Sequence, residues 1–222
     1  MIRSTLFLLA ALLLANNAQA GIIVSDTTPA SLEANAQPES DTDIFLYTEQ
    51  ENFTLTDDLG VDYLASTGLS GVLAAGTELN SYIFNFDAVG DDYDRGSFSA
   101  EESYSFETEI LAVIWTGYRE SSAHPFSANL LDASDLVLGA AGTVYSTNSN
   151  GRGLEVEDFY GANNTQDSFV VNGNQIDLEL FVRAPYADQL RVITAVKVPE
   201  PNAIMLFGLA LILVATRRFK SK

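Results

Sequence analysis

Residues 81–87 read Ser-Tyr-Ile-Phe-Asn-Phe-Asp, and this stretch decides the fold class. Tyr82, Phe84 and Phe86 fall on one side of a period-two pattern, with Ser81, Asn85 and Asp87 on the other. A period of two is what a strand imposes, because successive side chains point to opposite faces. The pattern predicts a half-buried β-strand. The same texture extends both ways. "IFLYTE" and "NFTLT" are short runs of aromatic and branched residues, and "GVDYLAS" follows a turn at Asp57-Asp58-Leu59-Gly60. "SFSAEESYSF" reads as a strand pair after the turn-rich "AVGDDYDRG". "ILAVIWTG" is apolar on both faces and predicts a central strand, with Trp115 plugging the core. "IDLELFVR" alternates Leu178, Leu180 and Val182 with Asp177, Glu179 and Arg183, and "LRVITAVKV" closes the domain. Helical pattern is weak, its best instance a turn around Tyr118 to His124 ended by Pro125. About ten strands at this spacing predict an all-β domain, an antiparallel β-sandwich of jelly-roll type. An irregular closed barrel is the alternative. No internal repeat points to a propeller or a β-helix.

Both ends of the chain have a different character. Arg3 supplies a positive n-region, Leu6 to Ala15 is an unbroken apolar run, and Ala18-Gln19-Ala20 is an A-x-A site. Together these predict a helical secretory signal peptide over 1–20, cut after Ala20 by signal peptidase. The polar segment 21–42, with Pro29 and Pro38, reads as an N-terminal loop before the β domain of 43–198. At the far end, Ala203 to Thr216 is uncharged for 14 residues and is followed by Arg217, Arg218, Lys220 and Lys222. A helix over 203–216 spans roughly 21 Å at about 1.5 Å per residue, against a hydrocarbon core of about 30 Å. It is marginal as a permanent span. The basic cluster sets the orientation, with the body translocated and the last six residues, 217–222, inside.

"VPEP", an apolar run and an Arg-Arg cluster, in that order, resemble the PEP-CTERM sorting signal of exopolysaccharide-producing Gram-negative bacteria. Pro199, Glu200 and Pro201 match its motif, and Arg217 and Arg218 match its basic cluster. The resemblance implies a tail, 199–222, held transiently in the inner membrane and removed by an exosortase. The body would then move to the cell surface or the extracellular matrix. "GTELNSYIFNFDAVG", "FETEILAVI", "GRGLEVED" and "ADQLRVIT" also resemble a group of PEP-CTERM proteins of unassigned function, which implies a single β-sandwich and no particular chemistry.

Between its ends, Gly21 to Lys197 holds six basic and 29 acidic residues, a formal charge of −23. Such a surface is self-repelling and excludes nucleic acid, whose phosphates require Lys and Arg. Contact with an anionic polysaccharide would need bridging divalent cations. The chain has no cysteine, so it has neither disulfides nor thiolate sites. His124 is the only histidine, and Ser121 and Ser122 lie too near it in sequence for a triad. One histidine and no cysteine do not make a zinc site. Acidic pairs such as Glu101-Glu102, Glu155 and Glu157, and Asp177 and Glu179 are too numerous to mark a glycosidase. The candidate cofactor is calcium, a hard ion that takes loop carboxylates. Asp91, Asp92 and Asp94 in "GDDYD" are the first candidate site, and Glu155, Glu157 and Asp158 the second.

Asp188 and Arg191 suggest an ion pair or a loop-pinning hydrogen bond at a sheet corner, with a ligand contact as the alternative. Tyr93, Tyr104, Tyr118, Tyr145, Tyr160 and Tyr186 in or near loops offer rings for stacking on sugars. The expectation is an exported, non-catalytic surface or matrix protein associated with exopolysaccharide or biofilm. The alternatives are a carbohydrate-binding module of an adhesin, or a periplasmic protein permanently anchored by its tail.

Overall fold

Residues 81–87 lie within β6 (Glu78–Asp87), and they are buried on both faces rather than one. The computed structural model describes residues 21–116, 130–147, 152–154 and 167–197. These are mostly strand, as the sequence pattern requires. The other elements are β1 (Gly21–Ser25), β2 (Ser31–Leu32), β3 (Asp43–Thr54), β4 (Leu59–Leu64) and β5 (Leu69–Leu73). They continue with β7 (Ser97–Ser105), β8 (Ile110–Trp115), α1 (Leu130–Leu138) and β9 (Val144–Tyr145). The last three are β10 (Ser168–Asn172), β11 (Gln175–Arg183) and β12 (Ala187–Ala195).

One seven-stranded sheet runs β1-β3-β6-β12-β8-β4-β5; a second of three runs β10-β11-β7; β2 and β9 form a short ribbon. Two pairings, β1 with β3 and β2 with β9, are parallel, so the expected all-antiparallel arrangement is corrected to a mixed one. Among the described residues the sheets have seven, three and two strands, an all-β arrangement that does not establish the jelly roll. Segment 21–42 is not loop throughout, since Gly21–Ser25 is hydrogen-bonded along β3. The expected strand pair over 97–106 is the single strand β7.

The alternation then explains the layers. Phe84 and Phe86 of β6, Leu190 and Val192 of β12, and Ile44 and Leu46 of β3 share one face. They join Ile176, Leu178, Leu180 and Val182 of β11 in one buried cluster, so the three-stranded sheet covers this face. Burying one such side chain contributes about 1.5–3 kcal/mol. Trp115 lies at the margin, edge-on to Phe169 at 5.1 Å.

The opposite face carries α1 and the β2–β9 ribbon. Leu131 and Leu138 of α1 meet Val61, Ile114 and Ile193, while Leu32 of β2 meets Phe45, Tyr47 and Ile83. Covered on both sides, β6 and β12 have no solvent face. Helix α1 is a correction to the expected weakness of helix. Its inward positions include Ser134 as well as Leu131 and Leu138, and Leu136 points outward at 91% exposure. An inward serine and an outward leucine hide the helical apolar stripe. The expected turn at Tyr118 to His124 lies outside the described residues, as do the signal-peptide and tail helices. Among the described residues, no helix is long and apolar enough to cross a membrane.

Candidate functional site

The covered polar face holds a cluster of buried ion pairs. Glu49 of β3, Ser81 of β6 and Arg191 of β12 sit at positions that alternation turns toward α1. Arg191 is fully buried, and its fork donates from Nε to Glu49 Oε2 at 2.6 Å and from Nη2 to Glu49 Oε1 at 2.7 Å. Nη2 also reaches Asp135 Oδ1 at 2.8 Å, and Nη1 donates to Ser134 on the same helix. Glu49 accepts two further bonds, from Ser81 Oγ at 2.9 Å and Tyr145 Oη at 2.8 Å. A second fully buried guanidinium, Arg152, donates to Asp135 Oδ2 at 2.5 Å, Asp132 Oδ1 at 3.3 Å and the Ser146 carbonyl at 2.8 Å. Both guanidinium carbons stand 5.8 Å from the Tyr145 ring.

Most of these groups satisfy one another, although the buried Arg152 Nε has no partner among the described residues. Burial alone would lower the Arg191 pKa, but the Glu49 and Asp135 carboxylates more than offset it and hold the guanidinium charged. Burial, then the Glu49 charge, pushes the Tyr145 phenol well above its ordinary range. The constellation clamps α1 to the sheet. Sequence reading missed Glu49, Asp135, Arg152 and Tyr145. The available signal was a charge at an inward-facing strand position, Glu49 after Phe45 and Tyr47. The expected Asp188–Arg191 pair is corrected: three residues apart on a strand, they point to opposite faces, and Arg191 pairs with Glu49 and Asp135.

Asp91, Asp92 and Asp94 lie in the loop after β6, around a single 3₁₀ turn, Tyr93–Arg95. Asp92 caps that turn, accepting from the Asp94 N–H at 2.9 Å. The loop is held from outside: Arg95 pairs with Asp41 at 2.6 Å, and Asp41 also accepts from the Val89 N–H at 3.0 Å. Arg183 lies 3.4 Å from the Tyr93 ring centre. Among the described residues, no three acidic or imidazole side chains gather as a metal site, so the loop does not bring its aspartates together for calcium. The alternative set, Glu155, Glu157 and Asp158, lies outside the described residues, as does His124.

The outer face of the three-stranded sheet forms an open groove of about 810 Å³, lined by Glu101, Ser103, Asp177 and Glu179 among others. Glu101 stands directly opposite Glu179 in the ladder. Among the described residues the groove has no aromatic lining. Tyr104 is a strand residue packed on Phe84 and Phe106, and Tyr145 belongs to the clamp. Tyr93 and Tyr186 meet edge-on at 6.4 Å, while Tyr118 and Tyr160 lie outside the described residues. The loop tyrosines therefore do not assemble one stacking platform among the described residues.

The chain leaves the body from β12, a central strand. The Ala195 carbonyl accepts from Thr108 Oγ1 at 2.5 Å and Asn80 Nδ2 at 3.2 Å, and its N–H bonds to Glu109 O at 2.9 Å. From that pinned residue to Pro199 the chain can reach at most about 14 Å. Register places the exit opposite the entry. Gly21 sits beside Asp43, at the sheet end where Ala187 meets Asp87, and Ala195 meets Leu79 at the other end. Eight residue steps separate the ends, about 26 Å. The Asp91–Asp94 loop follows Asp87 and so lies at the sheet end opposite Ala195.

A model of the PEP-CTERM protein-sorting motif matches residues 197–218. Pro199, Glu200, Pro201, Arg217 and Arg218 fall within that match, though outside the described residues, as Ala18 and Ala20 also do. The matched tail is an exosortase-dependent export-sorting signal. No curated protein and no solved structure matches the chain.

Proposed function

We propose that this chain is an exported, non-catalytic protein of the Gram-negative cell surface or extracellular matrix, associated with exopolysaccharide or biofilm. The PEP-CTERM match over 197–218 carries this reading. The tail serves as a temporary hold in the inner membrane, with the basic cluster inside and the Pro-Glu-Pro mark outside. The exit geometry supports that order of events. Ala195 is fixed at one end of the sheet, so a tail-held body stands with its Gly21 end and its Asp91–Asp94 loop directed away from the membrane. Removing the tail then releases a body of formal charge −23, which anionic surfaces repel.

The test is mass spectrometry of the exported protein's termini, in cells with and without the exosortase. A C-terminus near Pro199 that depends on the enzyme is expected. A retained Arg217-Arg218 end in cells with the enzyme overturns processing and leaves a permanent anchor. Retention on native matrix polysaccharide, with and without chelator, tests the association; no retention in either condition overturns it.

A further inference from the structure

We infer that copies of this chain associate head to tail through the two edges of the seven-stranded sheet, β5 of one copy adding to β1 of the next. Each of these strands is hydrogen-bonded on one side only among the described residues. An edge strand presents a row of open N–H and C=O groups, which proteins normally blunt with charge, proline or a cover. Among the described residues, neither edge is blunted. β1 reads GIIVS and β5 reads LSGVL, without a charge or a proline. Ile23 and Val24 are 46% and 50% exposed, and Leu69 and Val72 are 69% and 55% exposed.

Charge selects the occupant. A body at −23 repels a second copy over most of its surface. Residues 63–77 contain no charged side chain, so β5 lies in an uncharged strip where another copy can approach.

Direction and parity fix the pairing. β1 is parallel to β3, and every later step across the sheet to β5 is antiparallel. β5 therefore runs opposite to β1, and two copies in the same orientation bring them together antiparallel, the more stable ladder. Ile22 of β1 faces the three-stranded sheet, and Leu73 of β5 faces the α1 side. Setting Ile23 opposite Gly71 places Ile22 beside Val72 and Val24 beside Ser70, each pair on one face. A one-residue slip breaks that match. Because the contact joins different strands, it does not close as a two-fold dimer; repeated, it adds copies in one direction, as an open chain unless the rotation closes a ring. A five-residue ladder is smaller than a standard interface of about 1,600 Å², so assembly is concentration-dependent.

The absence of cysteine makes the test direct. Full-length chains carrying only Val24→Cys or only Ser70→Cys are mixed in mild detergent and oxidised. The expected product is the mixed disulfide dimer, with little of either homodimer; a chain carrying both substitutions gives a ladder of multimers. Val72→Lys, at an exposed position, is expected to abolish the ladder in that doubly substituted chain while leaving circular dichroism and Tm unchanged. Homodimers alone, cross-linking no greater than with an Ala141→Cys control, or a ladder that survives Val72→Lys overturns the proposal. None of these outcomes touches the sorting reading, which rests on the tail.

Discussion

Strand β6 sends Tyr82, Phe84 and Phe86 toward the three-stranded sheet, and Ser81, Asn85 and Asp87 beneath the ribbon and α1. Both sets are buried or nearly so, but they are held by different physics. The first face is close-packed and non-directional: rings meet edge-on, as Phe84 and Phe106 do at 6.3 Å. The second depends on completed pairs. Gln189 Nε2 donates to Asn85 Oδ1 at 2.7 Å and to the Leu32 carbonyl at 2.6 Å, and Arg191 forks onto Glu49. A buried polar layer is costly wherever a group lacks a partner, and among the described residues Gln189 Oε1 and Tyr47 Oη lack one. The two faces should therefore fail differently, one through a cavity and the other through an abandoned charge.

The largest expected effect comes from Arg191→Met. It leaves Glu49 buried without a cation, while Asp135 keeps its pair with Arg152. Breaking a buried pair from one side costs about 3–5 kcal/mol, read as a drop in the urea midpoint. Phe84→Ala on the apolar face costs about 3–5 kcal/mol as well. The comparison is broken or kept by rescue. Adding Glu49→Gln to Arg191→Met should recover part of the loss, because it removes the charge left unpaired. A loss below about 1 kcal/mol for Arg191→Met, or no rescue, would place the clamp outside the stabilising core.

This contrast also explains what the sequence disclosed. The apolar face was legible: Phe84 and Phe86, Leu178, Leu180 and Val182, and the central position of Ile110–Trp115 all follow from period two and composition. The polar face was not. Ser81, Asn85 and Asp87 read as solvent-facing, because nothing local says that α1 will cover them. Helix α1 was itself hidden, since its inward face includes Ser134 and its outward face Leu136. Glu49 and Arg191 are 142 residues apart, and a pair at that distance is set by sheet order alone. Strand order was likewise unreadable, because the parallel β1–β3 pairing depends on where a polar segment crosses back. The sorting tail was legible in full because its parts act in linear order.

A smaller effect follows from Asp87, at the end of β6 on the polar face. It is 1% exposed and accepts from the Asn35 N–H at 3.3 Å. Burial raises its pKa to about 7, with the Asn35 bond opposing and the Glu39 charge adding. Asp62 is raised to about 7 by burial, against a bond from the Trp115 N–H. A carboxylic acid whose pKa is raised by folding takes up a proton between its unfolded and folded values. Stability from these two groups therefore increases as pH falls from above 7 toward 4, on the order of a few kcal/mol in all. Tm should rise between pH 8 and pH 5. Asp87→Asn keeps an acceptor for Asn35 and should raise Tm at pH 8 while flattening the slope. An unchanged slope would show that Asp87 is not held in its neutral form.

The smallest effect lies where charge is exposed rather than buried. Glu101 and Glu179 face each other across β7 and β11 on the open side of the three-stranded sheet. Like charges directly opposite oppose pairing, so Glu179→Gln should stabilise by about 0.2–1 kcal/mol. Water and counterions surround this pair, and the gain should shrink at about 1 M salt, where screening acts within roughly 3 Å. The Arg191 clamp should respond to salt far less, because no solvent lies between its partners. If Glu179→Gln destabilises instead, the carboxylate is contributing a bond that outweighs the repulsion, and Ser168 Oγ, 3.5 Å from Glu179 Oε2, is the donor to examine. The same residue type thus carries opposite expectations at two sites: Glu49 is needed because its partner is buried with it, and Glu179 is dispensable because its neighbour across the ladder is another carboxylate.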